Sequence, residues 1–134
     1  MDRAISRRLV ADARVAVLAT LTSKGRPLIV PCCFVLDGDT VYSAVDNKPK
    51  TTQNLRRLEN LRANSVASLL VHHYAEDWSE LWWVRVDGRG RVLESGAERA
   101  RALGLLSEKY PQYQESPPQG DVIAVSITTW RWWP

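Results

Sequence analysis

Several features that mark common classes of protein are missing from this 134-residue sequence. No apolar run approaches the roughly 18 residues that a membrane-spanning helix needs. The N-terminal stretch carries charges but no apolar h-region and no small-residue cleavage site, so we expect a cytoplasmic protein with no membrane span. The sequence also lacks a P-loop, a zinc-ligand spacing, HExxH and GxSxG, so we predict no metal site and no such catalytic motif.

The sequence contains few cysteines and has a small net charge. The two cysteines, Cys32 and Cys33, are adjacent and would point to opposite faces of a strand, which suits neither a disulfide nor a shared metal site. We expect both to be buried, reduced thiols. The net charge of +3 is small, and aromatic residues are not interleaved with the cations. We therefore expect no nucleic-acid partner.

The hydrophobic pattern predicts a mainly β protein. Strands are predicted over 15–22, 27–36, 40–45, 65–73, 81–94 and 121–133, and helices over 2–13, 51–62 and 96–110. Short turns between the strands indicate antiparallel pairing. We predict one domain over residues 1–134, a six-stranded antiparallel split β-barrel with flanking helices, whose fifth strand bends at Gly88 or Gly90.

Cations concentrate where the third strand meets the second helix. Of the residues in 43–62, five are cationic and only Asp46 and Glu59 are acidic. On a helical wheel Leu55, Leu58 and Leu61 share one apolar arc, while Gln53, Arg56 and Asn60 point away.

Two polar residues, Thr51 and Asn54, fall within that arc at the helix start, and Arg57 flanks it. Free backbone N–H groups lie there, and Lys48 and Lys50 arrive from the preceding loop. This pattern favours an anion site with phosphate as its natural occupant. Ordinary N-capping with solvated lysines explains the same residues and stays open.

The second predicted strand contains Pro31, which cannot donate a hydrogen bond to a neighbouring strand. Backbone groups left unpaired there could bind a flat ring, so a phosphate-tailed tricyclic cofactor would suit this region. The alternative is that Pro31 only protects a sheet edge from pairing with other chains.

The stretch VAVLATLTSKGRPLIVPCCFVLDGDTVYSAVDNKPKTTQNLRRLENLRANSVASLLV (15–71) resembles the pyridoxamine-phosphate-oxidase-like split-barrel proteins. The similarity is greatest to the coenzyme F420-dependent oxidoreductases of the deazaflavin-using B branch of actinobacteria. The matching parts are the ATL…G.P…P..F strand pair and the K…NLRR…N..V junction. The segments DWSELWWVR and WRWW also look like one subgroup of this branch.

The resemblance implies a homodimer with two cofactor sites at the subunit interface and hydride transfer between the deazaflavin and a small organic substrate. Carried onto this sequence, it implies that the cofactor tail meets Ser43, Lys48, Lys50, Thr51, Asn54 and Arg57, and that the ring lies near Val30, Pro31 and Cys32. Hydride transfer needs no catalytic base, so no catalytic side chain is nominated. The alternatives are an FMN-binding oxidase or reductase of the same fold, or a non-catalytic protein that binds flavin, haem or another tetrapyrrole.

Six tryptophans form two clusters, at 78–83 and 130–133. Most would close the barrel and a dimer interface, but Trp78 or a terminal indole could wall a substrate pocket. His72 and His73 alternate on a strand, so we expect one to be packed and the other exposed or near the interface. Asp77 and Glu80 flank Trp78 in a loop and are candidate substrate or lid groups.

Overall fold

The computed structural model describes residues 1–45 and 52–134, and it describes side chains outside 46–55. The helices are α1 (Arg3–Asp12), α2 (Thr52–Ala63), α3 (Ala97–Lys109) and α4 (Pro111–Glu115), with a 3₁₀ turn at Trp78–Glu80. The strands are β1 (Ala16–Leu21), β2 (Pro27–Cys32), β3 (Val35–Asp37), β4 (Thr40–Ala44), β5 (Val66–His73), β6 (Trp82–Leu93) and β7 (Val122–Trp133). No helix in the described ranges is both long and apolar enough to cross a bilayer.

The seven strands found in the described ranges form one curled antiparallel sheet in the order β2-β1-β5-β6-β7-β4-β3. The predicted mainly β fold with flanking helices is confirmed, and the part of the chain that the structure describes has seven strands rather than six. The segment 111–120, predicted as a loop, begins with α4, and Pro111 occupies its first turn, where a missing N–H is harmless.

The extra strand arises because the predicted strand 27–36 breaks at Phe34. The hydroxyl of Tyr110 accepts the Phe34 N–H at 3.0 Å and lies 3.0 Å from the Phe34 carbonyl. The same hydroxyl lies 2.9 Å from the Arg14 carbonyl, so its single proton serves two acceptors. The Tyr110 side chain, at the C-terminal end of α3, thus binds the backbone N–H and carbonyl of Phe34. A continuous strand would use these two groups to pair with its neighbour.

The sheet has a β-bulge between β6 and β7. Asp87 pairs with Thr129 and Gly88 pairs with Ile127, so Thr128 is the extra residue on β7. Because side chains alternate with a period of two, this insertion reverses the phase of β7. Trp130 consequently enters the core at 4% exposure, while Trp133 faces outward at 46%. The register shift lies at Gly88, one of the two glycines where a bend of this strand was predicted.

The inner face of the sheet forms the main core. It consists of aliphatic side chains from every long strand, including Leu18, Val30, Leu69, Val84, Val86, Ile123 and Val125. Leu58 and Leu61 of α2 and Val10 of α1 pack against it. Gly90 lets α2 approach, since a Cβ there would lie 2.5 Å from a methyl carbon of Leu61.

The outer face of the sheet has two halves. In the covered half, α3 packs over β4 and the start of β7, and burial includes Tyr42, Val122, Ala124, Ala102 and Leu106. The bare half comprises the outer sides of β2, β1, β5 and β6 and the end of β7. The chain places no described helix over it, and its exposed apolar residues include Ile29 at 63%.

Candidate functional site

Much of the predicted anion site lies outside the described residues. Lys48, Lys50 and Thr51 belong to the undescribed segment, and the side chain of Asn54 is not described either. These four assignments remain predictions.

The other polar members of the predicted site come together on the inner face of the sheet. Ser43 is 4% exposed, and its hydroxyl donates to the Cys33 carbonyl at 2.8 Å. Arg57 is 7% exposed, and its guanidinium lies close enough to the Cys32 thiol to influence its ionisation. Two consecutive elements, β4 and α2, therefore bring a hydroxyl and a buried cation to the end of β2.

The two cysteines differ in environment. Burial raises the pKa of the Cys32 thiol to about 11, although Ser43 and then Arg57 oppose the rise. Cys32 is therefore a neutral thiol near neutral pH and not a nucleophile. Cys33 is exposed, so the expectation that both thiols are buried was wrong; alternation along the chain turns Cys33 away from the core.

The residues predicted to contact a cofactor ring also point in two directions. Val30 and Cys32 lie in the main core, and each is only 8% exposed. Pro31 faces outward and is exposed. A ring on the outer face could meet the side chain of Pro31 but only the backbone of its neighbours. Because β2 is an edge strand, Pro31 removes a donor where another chain could otherwise pair.

The helical wheel misplaced one residue of α2. Asn60, predicted to point away from the core, is 7% exposed and donates to the Thr20 hydroxyl at 3.1 Å. A buried amide needs such a partner, and Thr20 on β1 supplies it. The inward face of α2 is thus wider and more polar than its leucines alone indicated.

A cleft of about 710 Å³ opens at the β5–β6 hairpin end of the bare half. We call it the indole cleft; its principal walls are Leu70, His72, Trp82, Trp83, Arg85 and Trp133. The other lining residues are His73, Tyr74 and Leu81. The volume is within the range of small-molecule sites, and the walls are largely apolar.

Strand register explains why these side chains meet. His72 pairs with Trp83, and Trp83 pairs with Trp133, so one outward-facing row crosses three strands. The next outward row contains Leu70 paired with Arg85. Directly paired side chains lie about 5 Å apart, which brings two indoles and a guanidinium into one cleft.

A carboxylate and a hydroxyl hold Arg85 in place. The Nε and Nη2 groups of Arg85 donate to the two Asp87 oxygens at 3.0 and 3.1 Å. The Ser68 hydroxyl donates to the same carboxylate at 2.6 Å. Partial burial raises the pKa of Asp87, but the hydrogen bonds from Ser68 and Arg85 outweigh it and lower that pKa below its ordinary value.

The histidines and the 74–80 loop differ in part from expectation. Both His72 and His73 are exposed, so the expectation that one would be packed was wrong, although His73 stacks on Trp82 with 6.1 Å between the ring centroids.

Trp78 is 70% exposed and does not line the indole cleft, so its place in a substrate pocket remains a prediction. The Asp77 carboxylate accepts from the Ser79 N–H and hydroxyl at 3.0 and 2.6 Å, which gives it a structural role in the turn.

Arg85 is the residue that sequence reasoning missed. Alternation over 81–94 places it on the same face as Trp83, and that signal was available in the sequence. The role of Trp133 was harder to find, because the Thr128 bulge decides which terminal indoles face outward.

The indole cleft and Pro31 lie on the same outer surface. Pro31 pairs with Val17, Val17 pairs with Leu70, and Leu70 pairs with Arg85. Three strand spacings separate the ends of this row, or about 14 Å along the sheet. A ligand resting on β2 and a second ligand in the cleft could therefore be close neighbours.

Solved structures share this fold. A conserved hypothetical protein of Mycobacterium tuberculosis superposes with a TM-score of 0.80 at 18% identity, covering 99% of this chain and 84% of that one. A heme-binding protein of Mycobacterium smegmatis gives 0.76 at 20% identity, covering 96% and 52%. An FAD-binding protein of Mesorhizobium loti gives 0.74 at 20% identity, covering 98% and 94%. At these identities the likeness establishes the fold alone.

Sequence comparison gives the family. No curated protein matches the sequence. The family model of pyridoxamine 5'-phosphate oxidase matches residues 4–134, which is nearly the whole chain and includes β2, the β4–α2 junction and the indole cleft. The split-barrel sheet and this match agree, and the chain belongs to the pyridoxamine 5'-phosphate oxidase family.

Proposed function

We propose that the protein is an oxidoreductase that uses coenzyme F420, a deazaflavin, to transfer a hydride to or from a small organic substrate. The observation that carries the proposal is the meeting of Arg57, Ser43 and the edge strand β2 at one end of the sheet. A cation can bind the anionic tail of such a cofactor, and the neighbouring edge strand can bind the attached flat ring.

The described residues fit such a cofactor in part. Arg57 supplies a guanidinium group, and Pro31 offers an exposed apolar surface for a ring. The Ser43 hydroxyl proton is engaged with the Cys33 carbonyl, so Ser43 would accept a hydrogen bond from the cofactor or exchange its present one. Lys48, Lys50, Thr51 and Asn54 complete the predicted tail site.

The cofactor supplies the hydride chemistry, and the chain binds and orients it. The exposed Pro31 side chain and the buried Arg57 lie on opposite sides of β2. We propose that the cofactor wraps the free edge of this strand, with its tail toward α2 and its ring on the bare half. The outward row from Pro31 to Arg85 then leads from the ring to the substrate in the indole cleft.

We further propose a cytoplasmic homodimer in which a second copy covers part of the bare half and completes each cofactor site. Exposed apolar residues on or beside that half, Val15 at 56% and Ile29 at 63%, favour such contact.

FMN is the second candidate cofactor, since it shares a tricyclic ring and a phosphate with the deazaflavin. A third candidate function is the binding of flavin or haem without catalysis. The likeness of the fold to an FAD-binding protein and to a heme-binding protein favours this third candidate.

Titration of the purified chain with coenzyme F420, FMN and haem in separate experiments tests the proposal. We expect coenzyme F420 to quench tryptophan fluorescence and to bind more tightly than FMN, with no haem spectral change. Stoichiometric haem or FMN binding without a response to coenzyme F420 would overturn the assignment.

Variants then locate the site. Lys50→Ala and Arg57→Ala should each weaken cofactor binding by roughly 1–3 kcal/mol, the range for a lost charged hydrogen bond. Arg62→Ala is the matched control, because Arg62 is on α2 but pairs with Glu94 at 3.0 Å on the exposed side. Because Arg57 is buried, Arg57→Lys is added as a variant that keeps the charge. Unchanged affinity in both alanine variants would remove the predicted tail site.

A further inference from the structure

We propose that the indole cleft is a specific binding site for a planar aromatic carboxylate, with the ring against the indoles and the carboxylate on Arg85. The proposed function places its substrate in this cleft, so as a statement about substrate class this proposal rests on that function. The binding itself involves the outer face of β5, β6 and β7 and does not require the cofactor.

The cleft walls select a flat, apolar ligand. Trp83 and Trp133 are direct cross-strand partners on the outward face, so their rings border the same space. Trp82 enters the lining from the hairpin end and is itself stacked with His73. Aromatic pairs gain energy from offset or edge-to-face contact beyond simple burial, which favours an aromatic ligand over an aliphatic one of equal size.

Arg85 selects the charge of the ligand. Its side chain is 45% exposed, and its Nε and Nη2 edge is occupied by Asp87. The hydrogen bond from Ser68 fixes that carboxylate in turn, so the guanidinium is held in one orientation before a ligand arrives. Preorganisation of this kind lowers the entropy cost of binding an anion.

Neighbouring charges do not cancel this preference. Asp87 offsets one positive charge, but Arg131 is the cross-strand partner of Arg85 on the other side. The two guanidinium groups of Arg85 and Arg131 and the one carboxylate of Asp87 leave this part of the outer face with a net positive charge. Among the described residues that line the cleft, Arg85 is the only arginine, and the lining contains no lysine, aspartate or glutamate.

The cleft is large enough for a small molecule. About 710 Å³ is within the 300–1,000 Å³ typical of small-molecule sites. A second copy of the chain is the competing occupant, because Trp133 is 46% exposed beside the opening. A fixed guanidinium within an aromatic wall fits an anionic ring better than an apolar surface, and we therefore assign the cleft to the small molecule.

Calorimetric titration of the purified chain with three probes tests this assignment. The probes are 2-naphthoate, its neutral analogue 2-naphthamide, and cyclohexanecarboxylate, which keeps the charge but not the aromatic ring. We expect 2-naphthoate to bind about tenfold or more tightly than either of the other two, as loss of a charged hydrogen bond or of aromatic contact predicts.

Two variants and a control separate the contributions. Arg85→Gln should remove the preference for naphthoate over naphthamide, and Arg85→Lys should restore part of it. Trp83→Leu should weaken both aromatic probes while leaving the ratio between them. Arg89→Gln is the control, because Arg89 is an exposed cation on β6 that contacts Ser65 and lies outside the cleft lining.

Three results would overturn the proposal. The first is equal binding of the three probes, and the second is an unchanged naphthoate preference in Arg85→Gln. The third is absence of naphthoate binding to a chain that sediments as a dimer, together with a monomeric Trp133→Asp variant, since a second copy would then occupy the cleft. None of these results depends on coenzyme F420. The proposed cofactor is tested separately, by the titration described above.

Discussion

The two halves of the sheet's outer face have different chemistry. In the covered half, β4 and the start of β7 present Tyr42, Val122 and Ala124 to α3, and all three are buried. In the bare half, the same sheet presents Trp83, Arg85 and Trp133 to open space. Both halves belong to one continuous set of paired strands.

The covered half packs against the protein's own helix α3, whereas the bare half is available to another molecule. Small and aliphatic side chains allow a helix to pack closely, which is why the covered half contains them. Large aromatic groups with an arginine are enriched where proteins bind partners or ligands. The bare half is therefore where we expect both proposed binding events.

The largest expected effect compares two leucines, one in each half. Leu106→Ala removes a side chain of 0% exposure between α3 and the sheet and should lower the free energy of unfolding by about 2–5 kcal/mol. Leu70→Ala in the bare half should cost about 1 kcal/mol or less, because Leu70 is only half-buried. Urea denaturation at low protein concentration measures both values.

Protein concentration sharpens this comparison. If a second copy covers the bare half, the cost of Leu70→Ala should grow as concentration rises, because dimerisation stabilises the folded chain by mass action. The cost of Leu106→Ala in the same background should change little. Equal costs for the two leucines at low concentration would mean that the halves are not distinct.

The second effect concerns the bulge that sends Trp133 to the bare half. Gly88→Ala would place a Cβ 2.0 Å from the Ser126 carbonyl oxygen, so the β7 backbone must shift. We expect a loss of about 1–3 kcal/mol, the usual cost of overpacking, and a changed near-ultraviolet circular dichroism from the tryptophans.

Gly104→Ala is the matched glycine control. Gly104 lies inside α3 with no neighbouring atom where its Cβ would be placed. An alanine there should stabilise the protein by up to about 1 kcal/mol through helix propensity. A Gly88→Ala protein as stable as the parent would show that β7 accommodates the methyl group and that the bulge tolerates substitution.

From local periodicity the sequence predicted α1, α2, α3 and every strand except the separate β3, but it did not predict α4. It did not predict the break at Phe34, which is caused by Tyr110, 76 residues away. Nor did it predict the burial of Asn60, whose partner Thr20 belongs to another element. Contacts between residues distant in sequence decide such details, and periodicity contains no information about them.

The same limit applies to the candidate site. The helix-start cations were recognisable from composition, and Arg57 does lie near β2. The indole cleft required the cross-strand register of β5, β6 and β7, including the extra Thr128. A period-two pattern fixes which residues share a face of one strand, but it does not fix which residues of the next strand stand beside them.

The smallest expected effect tests the polar rim of the covered half. Glu98 in the first turn of α3 accepts hydrogen bonds from Arg91 at 2.7 and 2.9 Å and from the Tyr42 hydroxyl at 2.8 Å. These bonds, that of Arg91 first, lower the pKa of Glu98 from 4.5 to about 2. Because the folded state favours the ionised form, the stabilisation is complete above pH 4.5 and is lost as the pH falls toward 2.

Glu98→Gln should therefore cost less than about 1 kcal/mol at pH 7, since the side chain is 38% exposed and its charge is screened by solvent. The difference in unfolding free energy between the parent and Glu98→Gln should shrink between pH 5 and pH 3, where the parent loses this contribution; the window follows from the pKa values of 4.5 and about 2. Glu108→Gln, an exposed carboxylate farther along α3, is the control. A difference that stays constant from pH 7 to pH 3 would mean that packing by side chains such as Leu106, and not the charged rim, holds α3 on the sheet.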